Sequence, residues 1–69
     1  MNRDEFKELI YNLSSKYYIK YYIDEQNIGY IYAIYSNGNA INLLELENTN
    51  LFIKTRTYDG KIKYSINLK

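Results

Sequence analysis

Few side chains in this 69-residue sequence are suited to catalysis. Cysteine and histidine are absent, which removes the thiolate nucleophile, the commonest metal ligand and the usual proton shuttle at neutral pH. The three glycines stand apart from one another, so no glycine-rich loop is present to bind a phosphate. Glu45 and Glu47 are close enough in the chain to act as a paired acid and base. Acidic residues beside a turn are usually solvated charges, so we expect no enzymatic activity, no metal and no cofactor.

Tyrosine has the most uneven distribution of the remaining residue types. Seven of the ten tyrosines lie within residues 16–38, which read KYYIKYYIDEQNIGYIYAIYSNG. A tyrosine ring offers a large rigid apolar surface and one hydrogen-bonding hydroxyl, which suits it to packing and to binding. The function therefore depends on which of these tyrosines lie in the core and which lie on the surface.

Length and composition indicate one small domain, residues 1–69. A chain of this size buries only about 60% of its unfolded surface. No apolar run is long enough to span a membrane, and the charged N-terminal segment is not typical of a signal peptide, so we expect a cytoplasmic protein with no membrane partner. The formal net charge is +1, but residues 51–69 hold five cationic side chains against one acidic one.

The first segment predicts an amphipathic helix over about residues 3–15. Apolar residues recur at the helical period and form one stripe, namely Phe6, Leu9, Ile10 and Leu13. Asn2 followed three residues later by Glu5 matches a capping box, in which each residue satisfies a backbone N–H of the other.

The rest of the chain predicts strands joined by turns. The expected strands span about residues 17–23, 28–36, 39–47, 51–58 and 61–68. Asn37-Gly38 and Asp59-Gly60 are typical two-residue hairpin turns, because type I′ turns need positive φ at both central positions. Asn48-Thr49 favours a third turn of the same length, and the connection near Asp24 is longer.

These turn lengths determine which residues pair, and pairing determines the face on which each side chain lies. The predicted fold is α+β: one N-terminal helix packed on one face of a five-stranded antiparallel meander, in the order 1-2-3-4-5. The core face would hold Gly29, Ile31, Ala33, Tyr35, Ala40, Leu44, Leu46, Leu51, Ile53, Ile62, Tyr64, Ile66 and Leu68. A first loop of three residues would add Ile19, Tyr21 and Ile23 to this face. Gly29 and Ala33 would leave room for the helix to approach the sheet closely.

The opposite face of this predicted sheet is more apolar than a sheet covered on one side requires. Ile41 and Leu43 are expected there, beside a concentration of aromatic and basic residues. Those residues form the predicted partner-binding site: Tyr18, Tyr22, Tyr30, Tyr32, Phe52, Lys54, Arg56, Tyr58, Lys61 and Lys63. Contiguous exposed apolar surface of this size usually marks an interaction site.

Three interpretations of this face stay open. A strongly twisted sheet would curl and bury part of it, and the cross-strand tyrosines would then only stabilise the sheet. A protein partner, or a second copy of the chain, would use the tyrosines as anchors and the basic residues as a charged rim. Single-stranded nucleic acid would stack bases on Tyr30, Tyr32, Phe52 and Tyr58, although no RNP-type motif is present. The size of the patch favours a protein partner.

Two stretches carry a family resemblance, MNRDEFKELI at the start and IYSNGNAINLLELEN later. They pair a short amphipathic helix with an Asn-Gly hairpin and a Glu/Asn-rich strand end. In this respect roughly the first fifty residues resemble the small phage-encoded inhibitors of CRISPR effector nucleases. The resemblance implies a non-catalytic protein that binds stoichiometrically to a larger host protein or ribonucleoprotein complex in the host cytoplasm and blocks it.

Overall fold

A computed structural model describes all residues, 1–69, as two helices and one antiparallel sheet. Helix α1 spans Arg3–Leu13 and helix α2 spans Leu44–Glu47. The strands are β1 (Tyr18–Ile23), β2 (Ile28–Ile34), β3 (Ile53–Arg56) and β4 (Ile62–Asn67). The sheet has four strands in the order β1-β2-β4-β3. The predicted α+β class is confirmed, whereas the predicted five strands and the order 1-2-3-4-5 are wrong.

Helix α1 forms as its capping and apolar residues predict. The Asn2 side chain accepts a hydrogen bond from the Glu5 N–H at 2.8 Å, and the Glu5 carboxylate accepts one from the Asn2 N–H at 3.1 Å. The helix ends at Leu13, two residues earlier than predicted, and the Ser14 side chain donates to the Ile10 carbonyl at 2.8 Å. A serine that bonds back to the preceding turn competes with the helix ladder, which favours an end at this point.

Gly29 allows α1 to approach the centre of the sheet. A Cβ atom built on Gly29 would lie 2.7 Å from two ring carbons of Phe6, well inside van der Waals contact. Phe6 has no exposed surface, so its ring has little space into which to move. The predicted close approach of the helix at Gly29 is confirmed.

The predicted strand at 39–47 does not form. After the Asn37-Gly38 turn, Ala40 pairs with Ile34 in a single bridge, and the Ile41 N–H donates to the Ala33 carbonyl at 3.0 Å. The chain then crosses the helix-covered face and forms α2. The pattern of a short apolar run cannot distinguish a strand from another kind of buried segment. Here the run is buried in the core without pairing as a strand.

This crossover segment, residues 35–52, changes the strand order. Because of this segment, β3 does not lie beside β2 but forms the other edge of the sheet. Strand β4 then lies between β2 and β3. Strands β2 and β3 consequently run parallel to each other, with β4 between them and antiparallel to both.

The β3–β4 hairpin is also shifted by one residue from the predicted register. The Thr57 N–H donates to the Lys61 carbonyl at 2.7 Å and Gly60 has φ of 88°, so three residues rather than two form the loop. Ile53 therefore lies opposite Ser65 rather than Ile66. Because side chains alternate along a strand, this one-residue shift moves every β3 side chain to the other face.

The core lies between α1, the crossover segment and one face of the sheet. Its buried apolar residues are Phe6, Ile10, Leu13, Ile31, Ala33, Ile41, Leu43, Leu46, Ile62, Tyr64, Ile66 and Leu68. Ile41 and Leu43 were expected on the opposite face and are instead in the core. Five residues expected in the core are exposed: Tyr21, Tyr35, Leu44, Leu51 and Ile53. Tyr21 is exposed because it lies on the edge strand β1, and each of the other differences follows from the crossover segment or from the shifted hairpin.

A candidate binding face on the open side of the sheet

The ten predicted binding residues divide between the two sides of the sheet. Alternation along the strands places one group on the open face, which we define as the side that α1 does not cover: Tyr18, Tyr22, Tyr30, Tyr32, Lys61 and Lys63. Lys54 and Arg56 lie on the helix-covered side, Phe52 is partly buried against the core, and Tyr58 is fully exposed in the β3–β4 loop. The four tyrosines of β1 and β2 lie where the sequence predicts.

Tyr22 and Tyr30 form the centre of the open face. They are directly opposite each other on β1 and β2, with ring centroids 4.6 Å apart and ring planes inclined by 19°. The Lys63 ammonium group lies 5.3 Å from the Tyr22 centroid and 5.8 Å from the Tyr30 centroid. It also donates a hydrogen bond to the Tyr22 hydroxyl at 3.0 Å. Stacking and cation–π attraction therefore hold these three side chains in one arrangement.

Asp24 fixes the end of this cluster. Its Oδ1 atom accepts hydrogen bonds from the Gln26 and Ile28 N–H groups, each at 2.9 Å, and its Oδ2 atom accepts one from the Tyr30 hydroxyl at 3.2 Å. Burial, followed by this hydrogen bond, raises the pKa of Tyr30. The hydrogen bond to Asp24 therefore orients the Tyr30 hydroxyl, while the ring stacks on Tyr22.

Tyr18 and Tyr32 extend the face toward the other end of β1. Tyr18 is 66% exposed, and the Lys20 ammonium group lies 5.9 Å from its ring centroid. Tyr32 is half-buried opposite Lys20. A recess of about 320 Å³ opens beside Tyr18 and Lys20, where Ile34, Tyr35 and Ser36 complete its wall. This end of the face offers an exposed ring next to a shallow apolar hollow.

The open face is positively charged. Lys20, Lys61 and Lys63 project from it, and none of the strand positions on this side is acidic. Asp24 at the end of β1 is the nearest carboxylate. The hydrogen bond to Tyr22 is the main cause that raises the pKa of Lys63, so this lysine remains charged at neutral pH.

Glu45 and Glu47, the candidate acid and base pair, lie on the other side of the sheet on α2. The Glu47 carboxylate accepts a hydrogen bond from the Tyr64 hydroxyl at 2.8 Å and lies 3.3 Å from the Lys54 ammonium group. The Tyr64 hydroxyl in turn accepts from the Leu43 N–H at 2.9 Å. The hydrogen bond from Tyr64 is the largest cause that lowers the pKa of Glu47.

Glu45, two residues earlier on α2, makes a similar set of contacts. Its carboxylate accepts hydrogen bonds from the Tyr17 hydroxyl at 3.1 Å and 3.3 Å, and it lies 3.6 Å from the Lys16 ammonium group. A hydrogen bond from its own backbone N–H is the largest cause that lowers the pKa of Glu45. Both carboxylates therefore stay ionised at neutral pH, and their contacts attach α2 to the rest of the molecule.

The sequence alone did not identify the Tyr64–Glu47 contact. Tyr64 was expected in the core, which is confirmed, and a buried tyrosine hydroxyl usually finds a partner. The available signal was therefore the spacing of two that places Tyr64 on the same buried face of β4 as Ile62 and Ile66. It could not name Glu47 as the partner, because that pairing depends on the path of the crossover segment.

Two further properties of the structure concern ligands and membranes. No group of three or more acidic side chains is arranged to hold a metal ion. Neither helix has the length and apolarity needed to cross a lipid bilayer.

Comparison of the chain with protein-family models, with characterised proteins and with solved structures finds no match. The geometry of the open face is therefore the main indication of function.

Proposed function

We propose that this protein is a non-enzymatic binding protein that attaches stoichiometrically to a larger protein through its open face. The observation that carries the proposal is the prearranged cluster of Tyr22, Tyr30 and Lys63 beside the exposed ring of Tyr18. Ordering side chains on binding costs free energy, so anchors that are already held in place favour affinity. Tyrosine is also among the residue types most enriched in interface hot spots.

The arrangement of the rings favours a protein partner over single-stranded nucleic acid. Base stacking needs free aromatic faces, whereas Tyr22 and Tyr30 each have one face covered by the other ring and Lys63 lies close to both. Phe52 and Tyr58, which the stacking interpretation also requires, do not lie on the open face with them. An irregular protein surface can contact ring edges and hydroxyl groups without needing free faces.

The charge of the open face indicates the chemistry of the partner. Three lysines and several tyrosine hydroxyls would complement an acidic patch, because complementary potentials steer association and exclude wrong partners. The face has the opposite charge to a nucleic acid, so the proposal does not involve mimicry of DNA or RNA. Together with the resemblance to phage-encoded inhibitors, this supports a host defence complex of the CRISPR type, bound on an acidic protein surface, as the target.

The proposal can be tested by titrating the protein into cleavage assays with a panel of purified CRISPR effector nucleases. We expect one effector to be inhibited, with saturation near a fixed molar ratio of inhibitor to effector. Tyr18→Ala and Tyr22→Ala should each raise the Kd for that effector by about 30-fold, which corresponds to the loss of about 2 kcal/mol at a hot spot.

Two substitutions outside the open face serve as matched controls. Tyr11→Ala removes an exposed tyrosine from α1, and Arg56→Ala removes a cation from the helix-covered side. Both variants should inhibit as the wild type does. The proposal fails if no effector is inhibited, if the controls are as damaging as the open-face variants, or if the protein instead binds single-stranded oligonucleotides with a steep salt dependence.

A further inference from the structure

Strand β1 has an unpaired outer edge. It is the terminal strand of the sheet, and the Asp24 N–H donates to the Ile28 carbonyl at 3.0 Å. Hydrogen-bonded pairs alternate along an antiparallel ladder, so in β1 the even-numbered residues bond to β2. The backbone groups of Ile19, Tyr21 and Ile23 therefore point away from the sheet, and none of the hydrogen bonds outside the ladders involves them.

The edge at β3 is built differently, although it is also unpaired. Strand β3 has four residues against six in β1, and the same alternation turns the backbone of Lys54 and Arg56 outward. Short edge strands and charged side chains are common means of preventing edge-to-edge pairing. The outward residues of β1 carry no charge, and β1 contains neither proline nor a bulge. The structure therefore leaves one of its two edges open to another strand.

We propose that β1 pairs antiparallel with β1 of a second copy of this chain, forming a two-fold symmetric dimer with one continuous eight-stranded sheet. The outward-pointing residues of one copy must face those of the other to form hydrogen bonds. The two-fold axis of the dimer must therefore pass beside a residue of β1 and not between two residues. With the axis at Tyr21, Ile19 pairs with Ile23 of the second copy and Tyr21 pairs with its own equivalent. Three such pairs form about six backbone hydrogen bonds.

Side-chain contacts and the length of the ladder together favour this register over its neighbours. With the axis at Tyr21, Lys20 faces Tyr22 of the second copy, and Tyr18 faces Asp24. Both are favourable pairs, a cation beside an aromatic ring and a hydroxyl beside a carboxylate. An axis at Lys20 would place two lysines directly opposite each other, which is destabilising. An axis at Tyr22 would place Lys20 opposite Asp24, but it would pair Ile19 with Glu25, a residue beyond the end of β1, and leave only two hydrogen-bonding pairs within the strand.

This pairing would join the open faces of the two copies. Tyr18 and Tyr22 lie on β1 itself, so the tyrosines of both copies would meet along the seam, with Lys20 between them. A target would then encounter a surface of twice the width. The dimer does not depend on the proposed function, because it forms without a target and is measured without one.

Sedimentation velocity across a concentration series tests the pairing. We expect the mass to rise from 8.3 kDa toward twice that value, at concentrations between about 1 μM and about 1 mM, the range of a small interface. Tyr21→Pro removes an outward N–H while leaving the bonds to β2 intact, and proline is tolerated at such edge positions. It should raise the dimer Kd at least about tenfold relative to Tyr21→Ala, which removes the same side chain but keeps the N–H.

Arg56→Pro is the matched control, because it removes an outward N–H from the other edge. It should leave the dimer Kd unchanged. Amide hydrogen exchange of the wild-type protein gives a second readout that needs no variant to fold. The N–H groups of Ile19, Tyr21 and Ile23 should exchange fast in dilute solution and become protected as the concentration rises.

Several results would overturn the pairing. A wild-type protein that stays at 8.3 kDa throughout the series would exclude it, and so would a dimer in which Tyr21→Pro and Tyr21→Ala have the same Kd. A dimer that is lost in Tyr30→Ala while Ile19, Tyr21 and Ile23 remain unprotected would place the contact on the open face instead.

Discussion

Two groups of tyrosines, on opposite sides of one sheet, differ in what their hydroxyls hold together. Tyr64 has no exposed surface, and its hydroxyl connects the Glu47 carboxylate of α2 to the Leu43 N–H. Tyr22 is 42% exposed, and its hydroxyl accepts from Lys63 on the same face. The first contact attaches a distant segment to the sheet. The second sets the position of side chains that solvent still reaches.

The energetic difference follows from access to water. A buried polar group that loses its partner keeps the full desolvation cost, whereas an exposed one bonds to water instead. The helix-covered tyrosine should therefore determine stability, and the open-face tyrosines should affect stability little while remaining available to bind. Substitutions matched across the sheet can measure this difference.

The largest contrast is expected from complete removal of each ring. Tyr64→Ala leaves a cavity in the core and should lower the free energy of unfolding by about 3–5 kcal/mol. Tyr22→Ala loses only a stacked pair at the surface, so the loss should be about 1 kcal/mol. Urea denaturation followed by circular dichroism measures both. Equal losses would mean that the open face is as much a part of the core as the covered one.

A smaller contrast is expected from removal of the hydroxyl alone. Tyr64→Phe leaves the Leu43 N–H and the Glu47 carboxylate without their shared partner, and should cost about 1–3 kcal/mol. Tyr22→Phe exposes the Lys63 ammonium group to water and should cost less than about 0.5 kcal/mol. The same denaturation experiment applies. A cost for Tyr22→Phe that matches that of Tyr64→Phe would mean that the two hydroxyls contribute equally to stability.

The alkaline limb of the stability profile tests the same Tyr64 hydroxyl through its proton. Burial, followed by the hydrogen bond to Glu47, raises the pKa of Tyr64 from 10.0 to about 12. Because the folded state holds this proton more tightly than the unfolded state, the stabilisation is complete below pH 10 and is lost as the pH rises toward about 12. Unfolding free energies measured across this range should fall more steeply in the wild type than in Tyr64→Phe. Parallel profiles would show that Tyr64 does not contribute.

Part of this architecture was predictable because it depends on short-range patterns. The capping box of Asn2 and Glu5, the apolar stripe of α1 and the need for a small residue at Gly29 all act over a few residues or one close contact. Strands β1 and β2 alternate regularly, so the placement of Tyr18, Tyr22, Tyr30 and Tyr32 on one face followed from the sequence. Their role in binding remains a prediction.

The path of residues 35–52 depended on competition between distant segments. Ile41, Leu43 and Leu46 satisfy a strand pattern locally, yet they gain more by burial against α1 and β4 than by extending the sheet. The free energy gained by burying apolar side chains is roughly proportional to the apolar area removed from water, and it does not depend on the direction from which the area is covered. The sequence window around these residues therefore cannot show which surface they will cover.

What the sequence by itself determined is the first helix, the first two strands and the face on which four tyrosines lie, since period and capping are local properties. Only the tertiary structure decided the strand order, the one-residue shift of the β3–β4 hairpin and the partners of Tyr64. The shift placed Lys54 and Arg56 on the helix-covered side and left Lys20, Lys61 and Lys63 with the tyrosines. The physical reason is that register changes by single residues while side chains alternate with a period of two, so a small difference in a loop exchanges the faces of a whole strand.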